Sequence, residues 1–354
     1  MTVIGVTGVL LFIFYIARIV ADPPTSPYHL SPCPQDWRKP DWPEVSVSVV
    51  TWNQRQLIGR ALDSILAQKT TFSYEIVVGD DASNDGTREI LLAYQRKYPE
   101  LIRLFLYRRK LPGTPGRLNN MLNPLSCRGK YTALLDGDDY WTDCNKLQSQ
   151  YEVMESHPTL SCAFHDTLCE LVDPDGKRAQ TPSRRSGPEG ERRRTGFYPH
   201  EAFCADRNIK VHTSSLFFRT RVFGDFPDDY EHVVSADHYL FLLITQRGPI
   251  FYDNRVRSVY EQQPQSLTIS KHYLSTPRLL QQVADTRMYQ RRFPATNLTP
   301  SYSTYALKTL RIIVGRSLKE RDYPLMWRCI FLAVREWRGA VALLLRFYKD
   351  VLAK

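Results

Sequence analysis

The sequence predicts an α/β protein on a mixed, mostly parallel sheet with flanking helices. Three observations predict it. Period-two apolar runs alternate with segments of helical spacing from residue 45 to residue 136. A strand, helix, strand order of this kind needs crossover connections, which make neighbouring strands parallel. Polar clusters follow the strand ends, on the edge where such sheets bind ligands.

Residues Val3 to Ala17 are almost wholly apolar and continue through Arg18 to Ala21. With Arg18 snorkelling, the segment approaches the length of a membrane span. It lacks a basic leader and a good small-x-small cleavage site, so residues 1–21 read as an uncleaved anchor, with a cleaved signal peptide as the alternative. Lys and Arg follow the segment and do not precede it, which places the bulk of the chain in the cytoplasm as a membrane-associated protein. Residues 22–44 carry seven prolines and read as a stiff linker.

The alternating run Val45 to Val50 is the first strand. Leu57, Ile58, Ala61, Leu62, Ile65 and Leu66 then define one face of a helix. Tyr74 to Val78 is a second strand, Thr87 to Tyr98 a helix and Ile102 to Tyr107 a third strand. A helix near Arg117 to Leu125 leads to a fourth strand, Tyr131 to Leu135. Residues 172–196 hold turn residues and the run Arg192 to Arg194, and read as a surface insertion, solvated or touching an anion. Val211 to Arg219 reads as a strand. Ser235 opens a helix carrying Leu240, Phe241, Leu243 and Ile244, and Ile250 to Tyr252 reads as a short strand. From about Thr299 the chain is helical, with Gly339 as a candidate break. Arg328, Arg335, Arg338, Arg346 and Lys349 share one sector of its helical wheel, with Trp327, Phe331 and Trp337 elsewhere. Two readings are open: a helix lying on a membrane surface, or one packed on the rest of the protein with a solvated basic face.

The chain has 354 residues and a formal net charge of +10, a balance that favours anionic partners without choosing among them. The seven cysteines are scattered and form no CxxC pair, so neither a zinc site nor a disulfide framework is expected. No basic, aromatic-interleaved motif points to nucleic acid.

The chemistry concentrates in Leu134-Leu135-Asp136-Gly137-Asp138-Asp139-Tyr140-Trp141. Three carboxylates crowd a strand end. Without a cation they repel one another; with one, their oxygens suit a hard divalent ion that in turn holds a diphosphate. An acidic turn around Gly137 is the other reading of the octapeptide alone. Thr51 to Asn53 and Asp80-Asp81 also follow strand ends and belong on the same edge.

These segments resemble family 2 glycosyltransferases. Val47 to Asn53 with Leu62 to Gln68 is similar to the family's opening. Asp80 to Thr87 resembles its second motif, and Gly129 to Trp141 its DxD region, continued by Lys146-Leu147-Gln148. The resemblance spans about Val45 to Thr268. It implies a GT-A, Rossmann-like catalytic domain over residues 45–275; residues 276–354 are a helical extension beyond it, for which a membrane-surface position is one of the two open readings. It implies a nucleotide-sugar donor (UDP-, dTDP- or GDP-linked), Mn²⁺ or Mg²⁺, and inversion at the anomeric carbon. By the same resemblance Asp138 and Asp136 would hold the metal, with Asp139 a further contact. Asp136, Asp81, Thr51 and Asn53 would bind the nucleotide, with Asp80 supporting Asp81, and Lys130 or Arg117 would reach the diphosphate. Asp237, at the start of its helix, would be the general base that takes the acceptor's proton; His238, about 100° round the helix, is structural.

The chain departs from the family in one place. The later Tyr-Arg-x-His segment is here Tyr260-Glu261-Gln262-Gln263, so the histidine that helps hold the metal in many members is missing. The Gln-x-x-Arg-Trp motif of processive synthases is missing too, which favours single additions to a glycan or lipid-linked acceptor. A nucleotidyltransferase would carry a Gly-rich, basic first loop, which Thr51 to Gln54 is not. A non-enzymatic basic binding protein would rest on the net charge and Arg192 to Arg194 alone.

Overall fold

A computed structural model describes residues 39–107, 117–173, 175–181, 194–204, 211–222, 227–263, 275–293 and 299–336. The expected anchor and most of the linker lie outside these residues. Among the described residues no helix is long and apolar enough to cross a membrane.

The first half follows the sequence pattern closely. Strand β1 is Val45–Thr51, helix α1 Ile58–Leu66, β2 Tyr74–Asp80, α2 Thr87–Lys97, β3 Ile102–Leu106, α3 Arg117–Ser126 and β4 Tyr131–Asp136. The strands β3, β2, β1 and β4 lie side by side and parallel. Val45, Val47 and Val49 on alternate positions of β1 are fully buried against Ile58, Ala61, Leu62 and Ile65 of α1. Full burial of each such side chain contributes roughly 1.5–3 kcal/mol. Ser46, on the opposite face of β1, is also buried, and its hydroxyl donates to Glu75 Oε1 at 2.7 Å. The register sets Thr51 beside Asp80 and Val50 beside Asp136. The three polar loops therefore leave the sheet at one level of one edge, as the sequence pattern implies.

The second half departs from it. After the two-residue strand β5 (Tyr140–Trp141) and helix α4 (Lys146–Ser156) comes a long strand, β6 (Cys162–Val172). Part of the expected surface insertion is a strand, β7 (Arg178–Thr181), pairing antiparallel with β6. It supplies partners for a strand edge that would otherwise be open. Strand β8 (Gly196–Tyr198) and the short helix α5 (Glu201–Cys204) follow. The expected strand Val211 to Arg219 is mostly not one. Thr213–Ser215 forms a 3₁₀ turn, and only Phe217–Arg219 is strand β9, antiparallel to both β4 and β6. Three consecutive hydroxyl residues favour such local turns over a ladder.

Helix α6 (Ala236–Thr245) is buried nearly all round, between the sheet and the helices that follow. The short strand expected at Ile250 is instead the 13-residue β10 (Ile250–Gln262), parallel to β6. Its alternation is hidden by polar residues and by two register irregularities between Asp253 and Ser258. Arg257 is buried in this strand because Asp253 and Asp143 flank its guanidinium. Since β9 is antiparallel to both β4 and β6, β6 and β10 run in the direction of β4. The end of β10 thus reaches the same edge as Asp136.

Helices α7 (Thr276–Arg292), α8 (Thr299–Glu320) and α9 (Tyr323–Glu336) complete the described chain. They share a third core of Leu279, Val283, Leu310, Ile313, Cys329 and Ala333. Tyr289 of α7 also joins the core around α6. The single long helix expected from Thr299 is broken at Arg321, whose φ is +59°. Gly339 lies outside the described residues. Among the cysteines whose side chains are described, Cys127, Cys144, Cys162, Cys169 and Cys329 are free thiols.

Candidate active site at the carboxyl edge of the sheet

Four chain segments meet where β1, β2, β4 and β10 end. The loop after β1 is tied to the loop after β2. The Asn53 N–H donates to Ser83 Oγ at 2.8 Å, and Asn53 Oδ1 accepts from the Asn84 N–H at 2.9 Å. Asn53 adopts a left-handed conformation, φ +51°, which asparagine tolerates better than most residues. The Asp81 N–H donates to the Thr51 carbonyl at 3.0 Å, and Thr51 Oγ1 donates to Gln54 Oε1 at 2.7 Å.

The acidic turn after β4 is held equally firmly. The Gly137 N–H donates to the Val50 carbonyl at 2.9 Å, and the Asp139 N–H to the Asp136 carbonyl at 3.0 Å. Thr213 Oγ1 donates to Asp136 Oδ2 at 3.1 Å. The Ser214 hydroxyl donates to Asp139 Oδ2, and the Glu261 N–H to Asp139 Oδ1 at 3.3 Å. Burial, then the neighbouring Asp138 and Asp237, push the Asp136 carboxyl up to about 7, against the pull of the Thr213 bond. Burial and Glu261 push Asp138 up to about 6, opposed by a hydrogen bond from Gln54 and by the charge of Arg60. Asp139 is raised well above the usual carboxylate range by burial and by both neighbours.

Asp136 also lines a small pocket with Ser48, Val50, Leu134, Thr213, Tyr230, Leu240 and Asp237. The acidic turn and the expected base therefore face one cavity, though they are far apart in sequence. His238 points elsewhere, with Nε2 2.5 Å from the Tyr302 hydroxyl, in the structural role expected of it.

Of two further expected residues, Asp80 has a supporting position and Lys130 is placed elsewhere. Asp80 is fully buried, and its Oδ2 accepts from the Ser83 N–H at 3.1 Å and from Arg88 Nε at 2.5 Å. It braces its own loop and leaves Asp81 as the acid at the loop's start. Lys130 precedes β4 at the opposite edge of the sheet, about 20 Å from Asp136 at the usual strand rise. Its ammonium pairs with Glu155 at 2.5 Å, so the structure does not bring it to the site. The side chain of Arg117 lies outside the described residues.

Other site residues escaped the sequence reading: Gln54, Thr213 and Ser214, which bond the acidic cluster, and Arg60 and Arg178, which pair with Glu261 Oε2 at 2.7 Å each. The run Thr213-Ser214-Ser215 was their one visible signal, three hydroxyls inside an otherwise apolar segment.

The cluster offers carboxylate oxygens only, the donor type that Mg²⁺ and Mn²⁺ prefer. Among the described residues no group of three or more His, Cys, Asp or Glu side chains converges as a ready-made metal site. Asp136 and Asp138 are by donor type the residues that would suit such an ion.

The profile described as Glycosyl transferase family 2 matches residues 46–221. Residues 46–221 belong to the family 2 glycosyltransferases. The chain is 32% identical over 217 residues to an uncharacterised protein of Mycobacterium tuberculosis, covering 61% of this chain and 58% of that one. It is 37% identical over 134 residues to a Bacillus subtilis protein named as a teichuronic acid biosynthesis glycosyltransferase, TuaG, covering 38% and 50%. The chain thus spans only half to three-fifths of these relatives. Its fold is similar to that of S. aureus TarS solved with UDP-GlcNAc, with a TM-score of 0.55 at 17% identity over 81% of this chain and 79% of that one. The mannosyltransferase PcManGT of Pyrobaculum calidifontis, solved with GDP-Man and Mn²⁺, gives 0.51 at 17% identity over 97% and 88%. At such identity the likeness speaks to the fold, and the mixed sheet with its flanking helices fits the GT-A arrangement.

Proposed function

We propose that this family 2 protein is an inverting, metal-dependent transferase that moves a sugar from a nucleoside-diphosphate donor to an acceptor hydroxyl. The observation that carries the reading is the pocket shared by Asp136 and Asp237. A carboxylate at the start of α6 reaches the cavity that Asp136 of the acidic turn also lines. In the proposal Asp237 accepts the acceptor's proton as its oxygen attacks the anomeric carbon. The loops after β1 and β2, through Thr51, Asn53 and Asp81, hold the nucleoside. Asp138 and Asp136 hold Mn²⁺ or Mg²⁺. When bound, such an ion offsets the negative charge of the departing diphosphate. The hydrogen bonds from Thr213 to Asp136, from Gln54 to Asp138 and from Ser214 to the adjacent Asp139 fix the acidic turn before the donor arrives.

The related folds were solved with UDP-GlcNAc and with GDP-Man, which supports a UDP- or GDP-sugar donor; dTDP-sugars belong to the same class. A relative named for teichuronic acid biosynthesis, and another named poly(ribitol-phosphate) beta-glucosyltransferase, support a polysaccharide or lipid-linked acceptor. The test is thermal denaturation of the full chain with a panel of nucleotide sugars, with and without Mn²⁺ or Mg²⁺. A donor at 100 times its Kd stabilises by about 2.7 kcal/mol. One sugar nucleotide should raise Tm only with the ion present and should then be consumed by transfer. No shift with any donor overturns the reading.

A further inference from the structure

We propose that the outer face of α9 is a lipid-docking surface that lays this end of the protein on an anionic membrane. The helix is apolar on two sides. Its inner side, with Cys329 and Ala333 buried and Met326, Ile330 and Leu332 packed beside them, satisfies the core shared with α7 and α8. The outer side is not needed for that core, yet it carries Tyr323, Trp327, Phe331 and Val334, which are 52%, 54%, 69% and 41% exposed. Their spacing of four, four and three residues puts them in one stripe. Trp327 and Phe331 have ring centroids 6.4 Å apart, so they form a continuous patch.

Charge selects the occupant. Arg335 and Arg328 border the stripe on one side, about 40–60° round the helix from Phe331. Lys319 and Arg321 stand exposed at the turn that leads into it. Of the two acids in that turn, Asp322 is engaged at the start of α9, where its Oδ1 accepts from the Leu325 N–H at 3.1 Å; Glu320 is the other. The sequence beyond 336 adds Arg338, Arg346, Lys349 and Lys354 against Asp350, and the whole chain carries +10. An aromatic stripe with a cationic border matches the boundary between acyl chains and anionic headgroups, where Trp and Tyr sit with their polar edges in the headgroup layer. No membrane-crossing helix is needed for this, and none is found among the described residues. The proposal does not rest on the transferase reading, and either can fail alone.

The test uses the full chain labelled with 5-fluorotryptophan. The chain has six tryptophans, and Trp327→Phe identifies the Trp327 signal. Vesicles of phosphatidylcholine with phosphatidylglycerol and a spin-labelled lipid should broaden that signal; vesicles without phosphatidylglycerol should broaden it far less. Because each interfacial cation strengthens binding about fivefold, Arg335→Gln should raise the lipid concentration needed by about that factor. Phe331→Ser, at a solvent-facing position, should leave the fold intact and reduce the broadening further. The proposal is overturned if the chain sediments with vesicles while Trp327 is untouched, since the contact then lies elsewhere. A Trp327 signal that changes with protein concentration and not with lipid overturns it too, because a second copy then covers the face. Equal broadening by neutral and anionic vesicles removes the charge argument and overturns it as stated.

Discussion

The backbone N–H of Glu261 donates to Asp139 Oδ1 at 3.3 Å, linking the end of β10 to an acidic turn 122 residues earlier. The Glu261 carboxylate is paired with Arg60 and Arg178. Burial alone would raise its pKa, but the bonds from Arg60 and Arg178 hold it below the usual range. Glu261 therefore stays charged and balanced by these two guanidiniums. It braces Asp139 without neutralising Asp136 or Asp138. Those two carboxylates are left to repel each other in a semi-enclosed site.

That repulsion makes the first prediction. Asp138→Asn and Asp136→Asn each remove one of two like charges from a site that penalises both. Each amide keeps an oxygen that can accept the existing hydrogen bond. Either variant should melt at the wild-type temperature or a few degrees higher, about 2–4 °C per kcal/mol gained. Transfer should fall at least 100-fold in Asp138→Asn if the acids hold the ion. Calorimetry in chelator, paired with a transfer assay, checks both halves. A large drop in Tm with normal turnover would show the acids to be structural.

Gly137 sits between these acids, and a Cβ there would collide with Gln54 Oε1 and come within 3.0 Å of Thr51 Cβ and Oγ1. Gly137→Ala should therefore push the loop after β1 away from the acidic turn. Overpacking of this kind costs about 1–3 kcal/mol. The same displacement should weaken donor binding more than it lowers turnover at saturating donor. Titration calorimetry with the donor, set against kcat, separates the two effects.

The parallel half of the sheet was legible because its strands are apolar on strict alternation and its helices carry one buried face. Val45, Val47 and Val49 against Ile58, Leu62 and Ile65 is such a pattern. The second half was not, for reasons that lie in particular residues. Arg257 and Asp253 look like surface residues in sequence, yet they form a buried ion pair inside β10. Thr213 to Ser215 bend into a turn because their hydroxyls serve Asp136, Asp139 and the local backbone. Within the site, the acids and the helix-opening Asp237 could be named from their positions after strands and before a helix. Their hydrogen-bond donors Gln54, Thr213 and Ser214 could not, since a polar side chain shows no partner in sequence and Thr213 and Ser214 reach the acids only through long-range folding. Lys130 misled because proximity in sequence to the DxD region hides the length of β4, which carries it to the far edge.

Asp237→Asn tests the role of base. The amide keeps the size and polarity of the carboxylate but cannot take a proton. Removal of a positioned base lowers turnover by about 10²- to 10⁴-fold. Because Asp237 stands on the acceptor side of the pocket in the proposal, the donor's Kd should change little. Donor titration and single-turnover transfer distinguish this from a general loss of the site. Equal losses in donor affinity and turnover would reassign Asp237 to donor binding.

Away from the site, the Asp253–Arg257 pair predicts a pH dependence of stability. Burial pushes the Asp253 carboxyl up, but hydrogen bonds from Arg255 and the charge and bonds of Arg257 overcome it and hold the pKa below its ordinary value. A carboxylate whose pKa is depressed by folding binds its proton more readily when unfolded. Its stabilising contribution is thus complete above the unfolded pKa, about 3.9, and is lost as pH falls through the folded value. Arg257 is the partner that matters, because its side chain is only 3% exposed, whereas that of Arg255 is 65% exposed and screened by water. Asp253→Asn should cost about 1.5–3 kcal/mol at pH 7, the range for hydrogen bonds to charged groups. The gap between wild type and variant should stay constant from pH 7 to about 5 and close below pH 4. Urea denaturation across that range measures it, and a gap that persists undiminished at pH 3 would mean that Asp253 acts through its shape and not its charge.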